Sequence, residues 1–114
     1  MNDCIFCRIA RGEIPARIAG RSEHAVAFHD LNPQAPVHVL VIPVVHLDGA
    51  NDTAGTDGAV WSQLLGLAVE VAGELGLSDG GFRLVVNQGR DGGQSVGHLH
   101  VHLLGGRPLA WPPG

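Results

Sequence analysis

His98-Leu99-His100-Val101-His102-Leu103-Leu104 alternates imidazole with aliphatic side chains, the period of two that marks a strand buried on one face. On such a strand His98, His100 and His102 share one side, about 6.5–7 Å apart. Leu99, Val101 and Leu103 take the other side, toward a core. Three imidazoles in a row need a partner: an anionic substrate, a metal ion or one another.

The segment just upstream, Gly92-Gly93-Gln94-Ser95, sets small residues, free amides and a hydroxyl beside those imidazoles. Glycine lets backbone approach a phosphate closely, and successive N–H groups form an anion nest. A neutral imidazole attacks phosphorus, and a second one can protonate the leaving group. His100, flanked on both sides, is the natural attacker, with His102 or Ser95 serving the leaving atom. Alternate strand histidines can also share a metal, so a metal hydrolase using all three as zinc ligands is a competing reading.

Working outward, the spacing predicts one α+β domain of about five strands in a mostly antiparallel sheet, with one long and one short helix. Cys4 to Arg11 reads as the short helix, ended by Gly12 and Pro15. Ile18–Arg21 and Ala25–His29 read as strands around a polar turn, and His38–Pro43 as a strongly apolar strand after the turn-rich loop 32–36. Residues 48–58, rich in Asp, Gly and Thr, read as a surface loop. Val60, Trp61, Leu64, Leu65, Ala68, Val71, Ala72 and Leu75 follow helical spacing, with Trp61 in the core and Gly76 as the stop. Phe82–Val86 is a further strand, and residues 87–95 a flexible glycine-rich loop. Links too short for a crossover helix make the sheet antiparallel.

Composition narrows the function classes. The chain has 114 residues, a net charge of −4, seven arginines and no lysine. The arginines are scattered, so the electrostatic footprint of a nucleic-acid binder is missing. Without lysine there is no Schiff-base or lysyl-adenylate nucleophile, and a bound phosphate must be held by backbone N–H groups, hydroxyls and imidazoles. No apolar run approaches the roughly 20 residues that span a bilayer. The segment Met1 to Cys7 has no leader pattern, so a cytoplasmic protein is expected.

Cys4-Ile5-Phe6-Cys7 has the spacing of a zinc knuckle, with His46 and His98 as candidates to complete a tetrahedron. Two inert buried thiols or a redox pair are the alternatives, although Ile-Phe is a poor redox spacer and a disulfide does not suit the cytoplasm. Among the remaining histidines, His24 reads as exposed and idle. His29 stands beside Asp30, which without a family match is equally well the start of a turn.

Over almost its whole length the chain resembles the histidine triad family, in its small nucleotide-binding branch that hydrolyses nucleoside phosphoramidates. The resemblance rests on Glu13-Ile14-Pro15-Ala16, Phe28-His29-Asp30, Pro33-Gln34-Ala35-Pro36, Asn87, Gly92 to Val96, the triad, Leu104-Gly105-Gly106-Arg107 and Trp111-Pro112-Pro113-Gly114. It implies His100 as nucleophile toward the α-phosphorus of a purine nucleotide, forming a nucleotidyl-histidine that water hydrolyses without a catalytic metal. His102 and Ser95 would meet the phosphate oxygens and the leaving atom, and His38 would complete the histidine cluster. Asp30 would hold the ribose hydroxyls, as a carboxylate can from a vicinal diol. Phe6, Ile9, Phe28, His29 and Leu31 would wall the base, as apolar and aromatic side chains suit a purine face. Asn87, Gly93, Gln94 and Val96 would line the phosphate side.

Some bacterial members hold structural zinc with Cys-x-x-Cys and two histidines matching His46 and His98, which would make His98 a ligand rather than a catalyst. The family also implies a homodimer of joined sheets whose tail brings Trp111 to the neighbour's site, and the composition implies no nucleic-acid or membrane partner. Dinucleoside polyphosphate hydrolysis, nucleotidylyl transfer and a purely regulatory nucleotide-binding role are the alternatives. Gly97 departs from the pattern, standing where relatives often carry an aromatic residue. Ala110 and the lysine-free surface depart from it too.

Overall fold

The computed structural model describes residues 4–56 and 58–114. Residues 1–3, on which the expectation about a leader falls, and Asp57, in the 48–58 segment, lie outside the described residues. Five strands, β1 (Ile18–Arg21), β2 (Ala25–His29), β3 (Val37–Pro43), β4 (Phe82–Val85) and β5 (Val101–Gly105), form one sheet in the order β1-β2-β3-β5-β4. Every neighbouring pair is antiparallel. β3 and β4 therefore run the same way, and β5 fills the gap between them.

Helix α2 (Ala59–Glu74) covers one face of the sheet. Its Val60, Leu64, Leu67, Ala68, Val71 and Ala72 pack on Ala25, Ala27, Val39, Val41, Val101 and Leu103. Leu64 has no exposed surface, and truncating such a leucine to alanine costs about 2–5 kcal/mol. Helix α1 (Ile5–Ala10) covers part of the other face, packing Phe6, Ile9 and Ala10 on Val26, Phe28, Leu40 and Ile42. Covered on both sides, β3 reads as a nearly unbroken apolar run with one polar interruption, His38, on the α1 face.

Both helices stop where glycine permits a left-handed residue. Gly12 (φ 75°) donates to the Ile9 carbonyl at 3.0 Å and Glu13 to Arg8 at 2.8 Å. Gly76 (φ 79°) donates to Gly73 at 3.2 Å and Leu77 to Ala72 at 2.9 Å. These paired bonds satisfy carbonyls that the helix end leaves open. Leu77 then packs so closely on Gly105 that a Cβ there would lie 2.8 Å from Leu77 Cδ1.

Three expectations are corrected. The strand carrying the triad begins at Val101 and not at His98, because the residues before it leave the ladder to reach other partners. The 48–58 segment contains a 3₁₀ turn, Ala50–Gly55, in which Thr53 Oγ1 donates to Ala50 and accepts from the half-buried Trp61 indole at 3.0 Å. The glycine-rich loop holds a short helical turn, α3 (Gly89–Gly92). Among the described residues no helix is long and apolar enough to cross a membrane.

Candidate active site

The alternation of residues 98–104 survives the late start of β5. Leu99, Val101 and Leu103 enter the α2-side core, and the three imidazoles turn to the α1 side. Hydrogen bonds fix the tautomer of each ring. His100 Nδ1–H donates to the His98 carbonyl at 2.7 Å, which leaves Nε2 with its lone pair. The Gln34 backbone N–H donates to His38 Nδ1 at 3.0 Å, so the proton of neutral His38 sits on Nε2 and is given to His102 Nδ1, 2.9 Å away. His102 then carries its own proton on Nε2. Burial pushes the His102 imidazole down to about 4, helped by the neighbouring His100 and His38. Burial also lowers His38, opposed by the Asp30 carboxylate. Both rings are neutral at pH 7, and His102 serves as a hydrogen-bond donor.

A cleft of about 320 Å³ opens over this arrangement. His100, His102, Ser95 and Val96 lie at one end, with Phe6, Ile9, Phe28, His29, Asp30 and Leu31 along its walls. Phe6 sets its ring edge-on to Phe28 and His100, with centroids 5.4 and 5.3 Å apart. Leu31 is fully exposed and Ile5 half exposed, an apolar rim of the kind that marks ligand sites.

His98 is turned away from the cleft. Its Nε2–H donates to the Pro43 carbonyl at 3.0 Å, and Nδ1 faces Cys4 Sγ at 3.3 Å and Cys7 Sγ at 3.5 Å. His46 Nδ1 lies 3.2 Å from Cys7 Sγ, and its Nε2–H donates to Asp48 Oδ1 at 2.7 Å. The four donor atoms lie within 4.8 Å of one another. Zinc bonds of about 2.3 Å to sulfur and 2.0–2.1 Å to nitrogen set tetrahedral S and N ligands about 3.5 Å apart. The donor set fits that ion, and each ring already has its far nitrogen bonded, as metal-ligating histidines do. His98, His100 and His102 do not converge on one point, which removes the reading of the triad as a shared metal site.

The loop between β4 and β5 is tied down, contrary to the expectation of flexibility. The Gln94 amide accepts from Gly89 N–H at 2.9 Å and donates to the Asp48 carbonyl at 2.7 Å and the Val96 carbonyl at 3.0 Å. Gln88 accepts from Asn51 N–H at 3.1 Å. Ser95 and Val96 are thereby held at the mouth of the cleft.

Residues 11–109 match the family model of the HIT domain. The chain belongs to the HIT domain family. It is 52% identical over 112 residues to an uncharacterized HIT-like protein of Synechocystis, covering 98% of this chain and 97% of that one. It is 40% identical over 107 residues to the purine nucleoside phosphoramidase of Escherichia coli K12, covering 94% and 90%. A HIT family hydrolase from Legionella pneumophila superposes with a TM-score of 0.94 at 46% identity, covering 98% of this chain and all of that one. The chain has the HIT fold.

Within this HIT domain the cleft gathers most of the residues singled out in the sequence, whereas His38, Asn87, Gly93, Gln94 and Trp111 are outside its lining. Asn87 lines a neighbouring cavity of about 470 Å³ that shares His102 and also touches His38 and Arg83. The Gln94 side chain points to Asp48, and Gly93 is not among the residues that line the cleft. Trp111 stands 80% exposed, near Arg83, whose guanidinium donates to the Ala110 carbonyl at 3.0 Å. Sequence reasoning missed Ile5, Ile14, Pro15, Ala16, Arg17 and Leu40 as lining residues. Two had a signal: Ile5 lies one helical turn before Ile9, and Leu40 shares its strand face with His38. Gln34 stands within the Pro33-Gln34-Ala35-Pro36 segment, but nothing there pointed to its backbone N–H fixing the His38 tautomer.

Proposed function

We propose that this HIT-domain protein is a hydrolase of purine nucleoside phosphoramidates, acting through a nucleotidyl-histidine on His100. The observation that carries the reading is the His100 ring. Its Nδ1–H is bound by a backbone carbonyl, so the free Nε2 faces a cleft with an apolar wall and a carboxylate, Asp30, along its side. Purine fits the wall, the ribose hydroxyls fit Asp30, and the phosphorus comes to Nε2. The name of the Escherichia coli relative supports the same substrate class.

In this reading His100 Nε2 attacks the α-phosphorus and the P–N bond breaks. The His102 Nε2–H donates to a phosphate oxygen as charge builds there. Ser95, exposed at the mouth, reaches the departing nitrogen, which takes up one proton from solvent. The nucleotidylated ring keeps its Nδ1–H on the His98 carbonyl and is a cationic, good leaving group. Water attacks the phosphorus, the P–Nε2 bond breaks, the nucleotide departs and one proton returns to solvent.

Cys4, Cys7, His46 and His98 would hold a structural zinc ion, which ties α1 to the loop before β5 and takes no part in bond making. We place the protein in the cytoplasm, where these thiols stay reduced. We infer from the family resemblance a homodimer in which Trp111 reaches the neighbour's cleft, and from the scattered arginines and the lack of a long apolar run that neither nucleic acid nor membrane is a partner.

The test is hydrolysis of adenosine 5′-phosphoramidate by wild type and His100→Ala, each with and without a zinc chelator. Turnover that tolerates the chelator and is lost in His100→Ala, with one nucleotidyl group on the wild-type chain after rapid mixing, is the expected result. A variant that keeps most of the wild-type rate would sink the covalent mechanism. Faster turnover of diadenosine polyphosphates would move the substrate to that class.

A further inference from the structure

The guanidinium groups of six of the seven arginines hold a carboxylate or a backbone carbonyl, whereas the Arg17 guanidinium has no hydrogen-bond or ion-pair partner among the described residues. Arg17 is exposed and lines the cleft. Its place in the sheet locates it further. His102 is on β5 with His100 just before it, and Arg17 directly precedes β1, three strands away in the order β1-β2-β3-β5. At a strand spacing of about 4.8 Å the two ends of the cleft are about 14 Å apart. Asp30, just after β2, stands between them; its neighbour His29 donates its backbone N–H to the Arg17 carbonyl at 2.9 Å.

A nucleotide with its phosphorus at His100 and its ribose at Asp30 directs the outer edge of its base toward β1. The walls at that end are apolar: Ile9, Ile14, Pro15, Ala16 and Phe28. Apart from His29, Arg17 is the polar side chain there. A guanidinium carries only donors, so it distinguishes bases by their acceptors. Guanine and hypoxanthine offer two adjacent acceptors, O6 and N7, which match the guanidinium fork. Adenine replaces O6 with an amino donor that opposes it.

We propose that Arg17 reads the O6/N7 edge of the base and biases this cleft toward 6-oxopurine nucleotides. The proposal rests on the nucleotide-binding reading of the cleft and adds a preference within the purines. The distinction falls on a fork geometry that lysine cannot supply.

Calorimetric titration of the full chain with GMP, IMP and AMP tests it, using wild type, Arg17→Ala and Arg17→Lys. Wild type is expected to bind GMP and IMP alike and AMP about fivefold or more weakly, the low end of a bidentate base contact. Arg17→Ala weakens GMP and IMP to the level of AMP and leaves AMP unchanged. Arg17→Lys, which keeps the charge without the fork, also narrows the gap. AMP bound as tightly as GMP by wild type, or an equal loss for all three nucleotides in Arg17→Ala, would overturn the proposal. Tight GMP with weak IMP would also overturn it, because the selective group would then be the 2-amino group. If none of the three binds, the nucleotide reading itself falls; if all bind without preference, only the role of Arg17 does.

Discussion

His38 and His102 stand on adjacent strands with Nε2 and Nδ1 2.9 Å apart, and the Gln34 backbone N–H bonds the other nitrogen of His38. A single backbone donor thus sets the proton positions of two rings in sequence and leaves the His102 Nε2–H pointing outward. Removing that donor by His102→Ala is expected to lower kcat by about 10²–10³-fold, the usual loss for a preorganised donor at a developing oxyanion. Nucleotide affinity should change only a few-fold. A kcat within tenfold of wild type, measured on a phosphoramidate substrate, would contradict the role.

The same pair makes folding stability depend on pH. His102 titrates near 6.5 when unfolded and at about 4 when folded, so between those values the unfolded chain binds more protons. Stability is therefore fully present above pH 6.5 and falls as the pH drops toward 4, by about 3 kcal/mol from this ring. His38, lowered by burial, acts with the same sign. Urea midpoints measured from pH 7.5 to 4.5 should decline across this window. A flat profile would mean that the rings are more hydrated than their burial implies.

Gln94→Ala removes three hydrogen bonds that anchor the loop before β5. Each such bond contributes about 1 kcal/mol net. Amide exchange across residues 88–97 is expected to speed up at least tenfold, and nucleotide binding to weaken as Ser95 and Val96 lose their fixed place. Exchange rates equal to wild type would show that Gly89–Gly92 holds the loop unaided.

Purified protein should carry about one zinc per chain by elemental analysis, and Cys7→Ser should lose it. With the ion removed, the melting temperature is expected to fall by several degrees or more, because the ion would join α1 to the loop before β5. Zinc content near zero after expression in zinc-replete medium, with no change in melting on adding zinc, would leave the four side chains as a polar cluster only.

Much of the fold can be read from the residues, and the misses have physical causes. Gly12 and Gly76 mark helix ends because each takes a left-handed conformation there. The alternation in 98–104 names the correct faces but not the start of β5. His98 keeps the period of two while its bonds go to Pro43 and toward the cysteines, 55 to 94 positions away, too distant to leave a pattern, and His100 turns its Nδ1 back to the His98 carbonyl. The turn at Ala50–Gly55 depends on Thr53 meeting Trp61 from the next helix. The Gln94 clamp likewise depends on Asp48, 46 residues away. In a glycine-rich segment composition alone reads as freedom, and long-range bonds of this kind leave no trace in it. The gathering of His100, His102, Ser95, Asp30 and the apolar wall around one cleft was legible, its Arg17 end less so, because an exposed arginine looks like any other until the sheet order sets it opposite His102.

The approach of Cys4 to His98 spans 94 positions. Joined through one ion, these residues would turn most of the chain into a closed ring, with β1 to β4 and the helices α1, α2 and α3 inside it. In the chain-entropy picture a clasp on a loop of this length is as effective as a long-range disulfide, about 4–5 kcal/mol. The clasp sits two residues before His100, whose Nδ1 hangs on the carbonyl of the clasping residue itself. A fastening made at one end of the chain would thus also be the mounting of the attacking ring, so that closing the ring and aiming the nucleophile become one event.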